Sequence, residues 1–517
     1  MVGHWLVMKQ QGAALGAALT TTAFSFYLYK FCKSWARHAP MIALVTERRK
    51  ELEEVMGMEF PFPAWWWAPW IALRAFVKAL REHRHLHFLC DVHDVANGTF
   101  LVPLPMQATY IVTNVVENVE HVLKNNFDNY VKGDTFFIPR MMDLLGHGIF
   151  NADGSGWYYQ RKTASRMFTQ KKLTTHIWRV VEKNCGKVVE LLLRTPKEST
   201  VDLFNIMNRF TLDTIGEIGF ARDIGALENA DSPFLKSFDR AQQISFLRLI
   251  MPLWRLRRLL RFGEERDSAH HFKLLSDYSL ETVRELKANL NTERGDSFVG
   301  LFMQEAEKSG TRYDEVFMKD MVLNFLIAGR DTTAQSLSWT FYLLLGHPDV
   351  ENKVLEEIAE VCGDRTLLYE DLSRLTFLQA VVNESLRLYP SVSLDAKKSL
   401  CKDTLLDGTF VEKDDVVVYN IFAMGRSKRI WGDDADEFKP ERWLGKDFPS
   451  LYAYPVFNAG PRECLGRRLA WVEMKTCLVH ILRSVKLKLA VRRDAVHYDA
   501  QLTLGMSSGL PCMVEAR

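Results

Sequence analysis

No C-x-x-C pair occurs among the eight cysteines, Cys32, Cys90, Cys185, Cys362, Cys401, Cys464, Cys477 and Cys512. Zinc ribbons and thioredoxin-like motifs need that pair and are excluded. Eight cysteines are also too sparse for a disulfide scaffold over 517 residues, so a reduced, cytosol-facing body is expected. Net charge is nearly absent at +2. No basic stripe accompanies a nucleic-acid-binding module, so no nucleic acid partner is expected. Beyond residue 71 there is no low-complexity linker and no repeat, and no flavin or dinucleotide fingerprint appears anywhere. What is present is the composition of a globular protein, 47% hydrophobic and 25% charged.

The N-terminus has one stretch without charge, Gly12 to Tyr29. Eighteen residues make a helix of roughly 27 Å, just short of a hydrocarbon core of about 30 Å. Lys9 precedes it, whereas Lys30, Lys33 and Arg37 follow, which places the body in the cytoplasm. The expected order is a lumenal segment at 1–11, an anchor at 12–29, a charged and Pro/Trp-rich linker at 30–70 and one mainly helical domain at 71–517. Within the linker, "FPFPAWWWAPW" (Phe60 to Trp70) suits a membrane interface. "REHRHLHFLC" carries histidines at 83, 85 and 87 in a helical apolar pattern, and a metal site is not expected there. Short β-like runs gather near the end at 415–420, 485–491 and 500–504.

Three motifs carry chemistry. A long apolar helix is expected from the capping pair Thr311 and Asp314 to Gly346, and "AGRDTT" (Ala328 to Thr333) lies inside it. A glycine in a helix interior costs about 1 kcal/mol against alanine, so Ala328 and Gly329 point either to something flat approaching the backbone or to a helix–helix contact. The Thr332 hydroxyl can compete for the helix's own carbonyls, and Asp331 beside it can pass protons. Next, Glu384 and Arg387 of "NESLRLYP" are helix-face neighbours, and Arg442 of "FKPERW" supplies a second guanidinium for one carboxylate. Last, "FNAGPRECLG" (Phe457 to Gly466) places Cys464 where a loop meets a helix, with N–H groups and the helix dipole to favour thiolate.

The pattern F-x-x-G-x-R-x-C-x-G, matched by Phe457, Gly460, Arg462, Cys464 and Gly466, resembles the heme-binding loop of the cytochrome P450 monooxygenases. Ala328-Gly329-x-Asp331-Thr332-Thr333 resembles that family's oxygen-activating helix. Glu384-x-x-Arg387 with Arg442 resembles its structural triad, and Trp157-x-x-x-Arg161 its propionate-binding helix. The resemblance spans about residues 71 to 517; the family's usual proline–glycine hinge is replaced by "FPFPAWWWAPW". It implies a mainly α fold with small β-sheets and heme b with Cys464 as axial thiolate. It further implies Arg462, Trp157 and Arg161 on the propionates, Phe457 beside the sulfur, and Asp331 and Thr332 as proton donors to O2 activation.

Electrons are then implied to come from NADPH through a membrane-bound reductase docking near Arg467 and Arg468. The implied location is the endoplasmic reticulum membrane, single-pass, with the catalytic domain cytoplasmic. "DLLGHGIFNADG", "MPLWRLRRLLRFG" and the cysteine loop look similar to the fatty-acid ω-hydroxylase clan of plants and its eukaryotic relatives. That implies a fatty acid or similar long-chain lipid as substrate. Phe136, Phe137, Phe325, Leu394 and Leu504 are candidate pocket residues, and Lys132 reads as a solvated lysine. The rival readings are a heme-thiolate hydroperoxide isomerase or dehydratase without a reductase, and a non-catalytic heme-binding membrane protein.

Overall fold

The computed structural model describes residues 48–57 and 68–517, apart from 104–107, 197, 252, 291, 293–296, 309–313, 446–447 and 500. The expected anchor at 12–29 and most of the aromatic-rich segment lie outside the described residues. Among the described residues, no helix is long and apolar enough to cross a membrane.

The longer helices are α1 (Arg49–Met56), α2 (Ala68–Arg81), α3 (His85–Ala96), α4 (Ile138–Leu145), α5 (Gly154–Ser165), α6 (Trp178–Leu193) and α7 (Leu203–Phe220). They continue with α8 (Pro233–Ile250), α9 (Trp254–Leu259), α10 (Ser268–Ala288), α11 (Phe298–Lys308), α12 (Glu315–Leu345), α13 (Pro348–Cys362), α14 (Thr376–Leu388) and α15 (Arg467–Ser484). The strands are β1 (Thr99–Pro103), β2 (Thr109–Thr113), β3 (Tyr130–Val131), β4 (Thr200–Asp202), β5 (Leu394–Ser399), β6 (Asp403–Thr404), β7 (Phe410–Val411), β8 (Val416–Asn420), β9 (Val485–Leu489) and β10 (Pro511–Ala516).

One sheet has the order β1-β2-β8-β5-β3, with only β2 and β8 parallel; the others are β4-β10-β9 and β6-β7. Two of the three expected β-like runs are strands, β8 and β9. The third is not: residues 501–505 form no strand, and only a single bridge, Tyr498 to Met506, lies beside them. Their backbone turns inward instead, where the Leu504 carbonyl accepts from Trp339 Nε1 at 2.7 Å.

α12 is the axis of the molecule. It runs 31 residues, about 46 Å. Asp314 is its N-cap, accepting from the Phe317 N–H at 2.7 Å, rather than the third residue of a capping box. Pro348 opens the next helix at a position where its missing N–H costs nothing. α7, α10, α14 and α15 pack around α12, and most of its residues belong to one continuous apolar core. Histidines at the start of α3 and farther along it have hydrogen-bond partners within the protein. His87 Nδ1 bonds the Tyr498 hydroxyl at 2.9 Å and His93 Nδ1 the Gly98 carbonyl. No metal-binding group of three or more His, Cys, Asp or Glu occurs among the described residues.

Candidate active site

Cys464 stands three residues before α15, its N–H donating to the Phe457 carbonyl at 2.8 Å. Gly460 makes the loop possible. Its φ is +66°, and a Cβ there would lie 2.1 Å from the Leu123 carbonyl oxygen. Cys464 faces open space, yet protein packs closely enough around the sulfur that burial is the largest influence on it. The open space is therefore enclosed. Burial pushes the thiol up, and the N–H groups of Gly466 and Arg467 with the Arg161 guanidinium only partly offset it. The expected thiolate thus does not follow from the helix end alone. It calls for a further cation on the open side, which a bound metal supplies.

α12 has an unburied face of its own. From Asp320 to Leu344 only Ala328, Gly329 and Thr332 are not buried. The Thr332 hydroxyl donates to the Ala328 carbonyl at 2.8 Å, as its place one turn later predicts, and the helix stays unbroken. Ser391 Oγ donates to the Thr332 carbonyl at 2.8 Å, and the Leu504 N–H to the Ser391 carbonyl at 2.9 Å, which brings Leu504 beside this face. Gly329 departs from the expectation of a flat group approaching. A Cβ there would lie 2.5 Å from the Ile215 side chain, so its close neighbour is α7. Asp331 is buried and pairs with Arg330 at 3.0 Å.

Arg462 stacks over the Trp157 ring at 4.5 Å and donates to Asp153 at 2.8 Å; its Nε is buried without a partner among the described residues. Arg161, one turn beyond Trp157, lies 5.8 Å from the same ring. Asp153 also accepts from the Lys132 and Gly133 N–H groups, both at 3.0 Å. Next to it is a group that the motifs did not indicate. Asp395 pairs with Lys132 at 2.8 Å and Lys397 at 2.9 Å and accepts from the Tyr419 hydroxyl. Lys132 is thus buried, not solvated. Burial alone would raise the Asp395 carboxyl, but the two lysines hold it well below the usual carboxylate range. Burial pushes Lys397 down to about 7 against the pull of Asp395, with Lys132 and Arg462 adding to the downward push. The faint signal for this cluster was two lysines and an aspartate, "DAKK", in a strand otherwise too buried to hold them.

These residues fit a heme. Lys132, Lys397 and Arg462 meet two carboxylates, Asp153 and Asp395, in a largely buried region, and Arg161 adds a further cation near Cys464 and Glu463. The excess matches the two propionates of the group, and the orphaned Arg462 Nε is one donor still to be satisfied.

Behind the loop, Glu384 is fully buried and accepts from Arg387 Nε and Nη2, both at 2.8 Å, and from Arg442 Nε at 2.9 Å. The Lys439 N–H and the Trp443 indole complete its bonds. Removing either arginine would leave a buried charge, which makes this a lock between α14 and the loop before Cys464.

The pocket candidates divide. Phe136 is buried with its ring 5.4 Å from Tyr110, and Phe137 lies under Lys132 Nζ at 4.6 Å. Phe325 sits in the main core, 5.9 Å from the Phe298 ring. Leu394 is partly exposed at the start of β5. Phe457 packs 6.0 Å from Trp471.

The chain matches the family described as Cytochrome P450 over residues 61–509. It is 36% identical over 454 residues to Cytochrome P450 86B1 of Arabidopsis thaliana, covering 82% of this chain and 80% of that one. It is 35% identical over 462 residues to Cytochrome P450 94A2 of Vicia sativa, covering 86% and 89%. It is 34% identical over 497 residues to Cytochrome P450 704B1 of Arabidopsis thaliana, covering 87% and 94%.

Proposed function

The chain belongs to the cytochrome P450 family of heme-thiolate monooxygenases, and from that membership we propose that it inserts one oxygen atom of O2 into a C–H bond of a fatty acid or similar long-chain lipid. The electrons come from NADPH through a membrane-bound reductase. Cys464 would bind the heme iron, Arg462, Arg161, Lys132 and Lys397 would hold its propionates, and Trp157 carries the two arginines on its ring. When bound, the heme supplies oxygen activation at its iron. The chain's own residues do the rest. Glu384, Arg387 and Arg442 fix the loop, Thr332 presents its hydroxyl on the open face, and Asp331 holds and passes a proton.

Two observations carry the reading: an enclosed thiol at Cys464, and Ala328, Gly329 and Thr332 as the three positions between Asp320 and Leu344 of α12 that are not buried. The lipid part is supported by the likeness of the cysteine loop and "MPLWRLRRLLRFG" to the fatty-acid hydroxylase clan. It is also supported by the surface of α9, where Leu253, Leu256, Leu259, Leu260 and Phe262 stand exposed among arginines. Such a surface suits contact with a bilayer, and with it a location on the endoplasmic reticulum membrane.

Lauric to stearic acids added to the purified protein are expected to shift the Soret band. Turnover of the tightest binder is expected with NADPH and reductase and not with hydroperoxide alone. No shift at any chain length removes the fatty-acid reading. Turnover with hydroperoxide alone moves the chain to the isomerases.

A further inference from the structure

We infer that Asp239, on the surface of α8, is a positioning residue that controls proton uptake by Asp331. The inference rests on Asp331 and Thr332 being the proton-delivering pair of the proposed reaction.

One guanidinium serves two carboxylates here. Arg330 Nη1 donates to Asp239 Oδ1 at 2.5 Å and to Asp331 Oδ1 at 3.0 Å. Arg330 is buried with its face 5.2 Å from the Phe238 ring, and its Nε has no hydrogen-bond partner among the described residues. The two acids differ sharply in exposure: the Asp239 side chain is 60% exposed and that of Asp331 4%. Asp239 therefore meets bulk water and Asp331 does not. Asp331 Oδ2 has no bond of normal geometry among the described residues, so a place for a proton stands open.

The charged groups that face the Asp331 carboxyl are Arg330 on its own helix and Asp239 on α8; the neutral amide of Gln242, also on α8, faces it too. Farther along the same faces, His271 of α10 bonds Ser237 of α8 and Arg240 of α8 pairs with Glu264, and neither contact includes Asp331. Burial pushes Asp331 up to about 6; Arg330 and Gln242 oppose this and Asp239 adds to it. With two acids on one buried cation, an ionised Asp239 shares Arg330 and leaves Asp331 less well paired. Asp331 then accepts a proton more readily. Without Asp239, Arg330 belongs to Asp331 alone and holds it ionised.

The test uses the heme-loaded full chain with reductase. In Asp239→Asn, the alkaline limb of product formed per NADPH is expected to move down by about one pH unit, a loss of roughly tenfold above that limb. Asp239→Glu is expected to restore the wild-type profile. A second readout needs no turnover: the infrared carboxylic-acid band that disappears in Asp331→Asn should titrate at lower pH in Asp239→Asn. A limb and a band both unmoved in Asp239→Asn overturn the inference. If Asp331→Asn and Thr332→Ala also leave product per NADPH at the wild-type value, the proton-pair reading falls with it. If those two uncouple and Asp239→Asn does not, only the role of Asp239 falls.

Discussion

A methyl group added at Gly329 would sit 2.5 Å from Ile215, a contact that real Cβ atoms essentially never make. Glycine is here because two helices, α7 and α12, meet with nothing between them. Ala328, one residue earlier, points to the open face where Thr332 bonds its carbonyl. Two neighbours in one motif thus do different work, and the motif alone left that choice open. Gly329→Ala should cost about 1–3 kcal/mol through overpacking. The cost should shrink in an Ile215→Ala background, because the clashing branch is gone. Urea titrations of the four proteins measure the coupling, and strictly additive costs would contradict the contact. Lys397 teaches the opposite lesson. Its charge is tolerable only beside Asp395, and nothing in the run "DAKK" tells that Lys397 reaches Asp395 while Lys398, also buried, pairs with Asp134 and Asp414.

At the scale of an element, α3 shows how placement alters chemistry. His85, His87 and His93 each have their pKa lowered to about 4, first of all by burial. The unfolded chain protonates these rings near 6.5, but the folded one refuses the proton until about 4. Between those values the unfolded state binds more protons, so stability is present above 6.5 and is lost as pH falls toward 4. Each histidine contributes a slope of up to about 1.4 kcal/mol per pH unit. Denaturant titrations at pH 7.5, 6.0 and 5.0 should show that slope, and His93→Gln should make it shallower whatever its offset. An unchanged slope in His93→Gln would place the proton uptake elsewhere. α12 was legible in outline because a long apolar run without proline can be little else. Its start differs from the expected capping box in one role, since Asp314 caps the helix itself.

Across the whole molecule, one face stands out. Leu259 and Phe262 are 79% and 66% exposed, and Arg255, Arg257, Arg258 and Arg261 lie among such side chains. Apolar side chains flanked by cations gain most at the surface of an anionic bilayer. In a Cys401→Ser background, an environment-sensitive dye at Leu259→Cys should shift to the blue on adding phosphatidylserine vesicles. The same dye at Leu193→Cys, on an exposed helix end far along the chain, should not. Equal responses at the two positions would show general adsorption rather than seating on α9.

The sequence by itself determined the chemistry of the centre. The thiol, the arginine beside it, the Glu384–Arg387 pair and the Asp331–Thr332 pair each belong to a short motif whose spacing survives folding, because each lies in one loop or one helix turn. The mainly helical class followed from apolar periodicity for the same local reason. Only the tertiary structure decided what those motifs meet: that Gly329 faces Ile215, that residues 501–505 turn inward to α12 instead of pairing as a strand, and that Lys132 and Lys397 share Asp395. It also placed Asp239 and Asp331, 92 positions apart, on one arginine. Such contacts depend on distance through space and on exclusion of water, and neither quantity is written in the order of the residues.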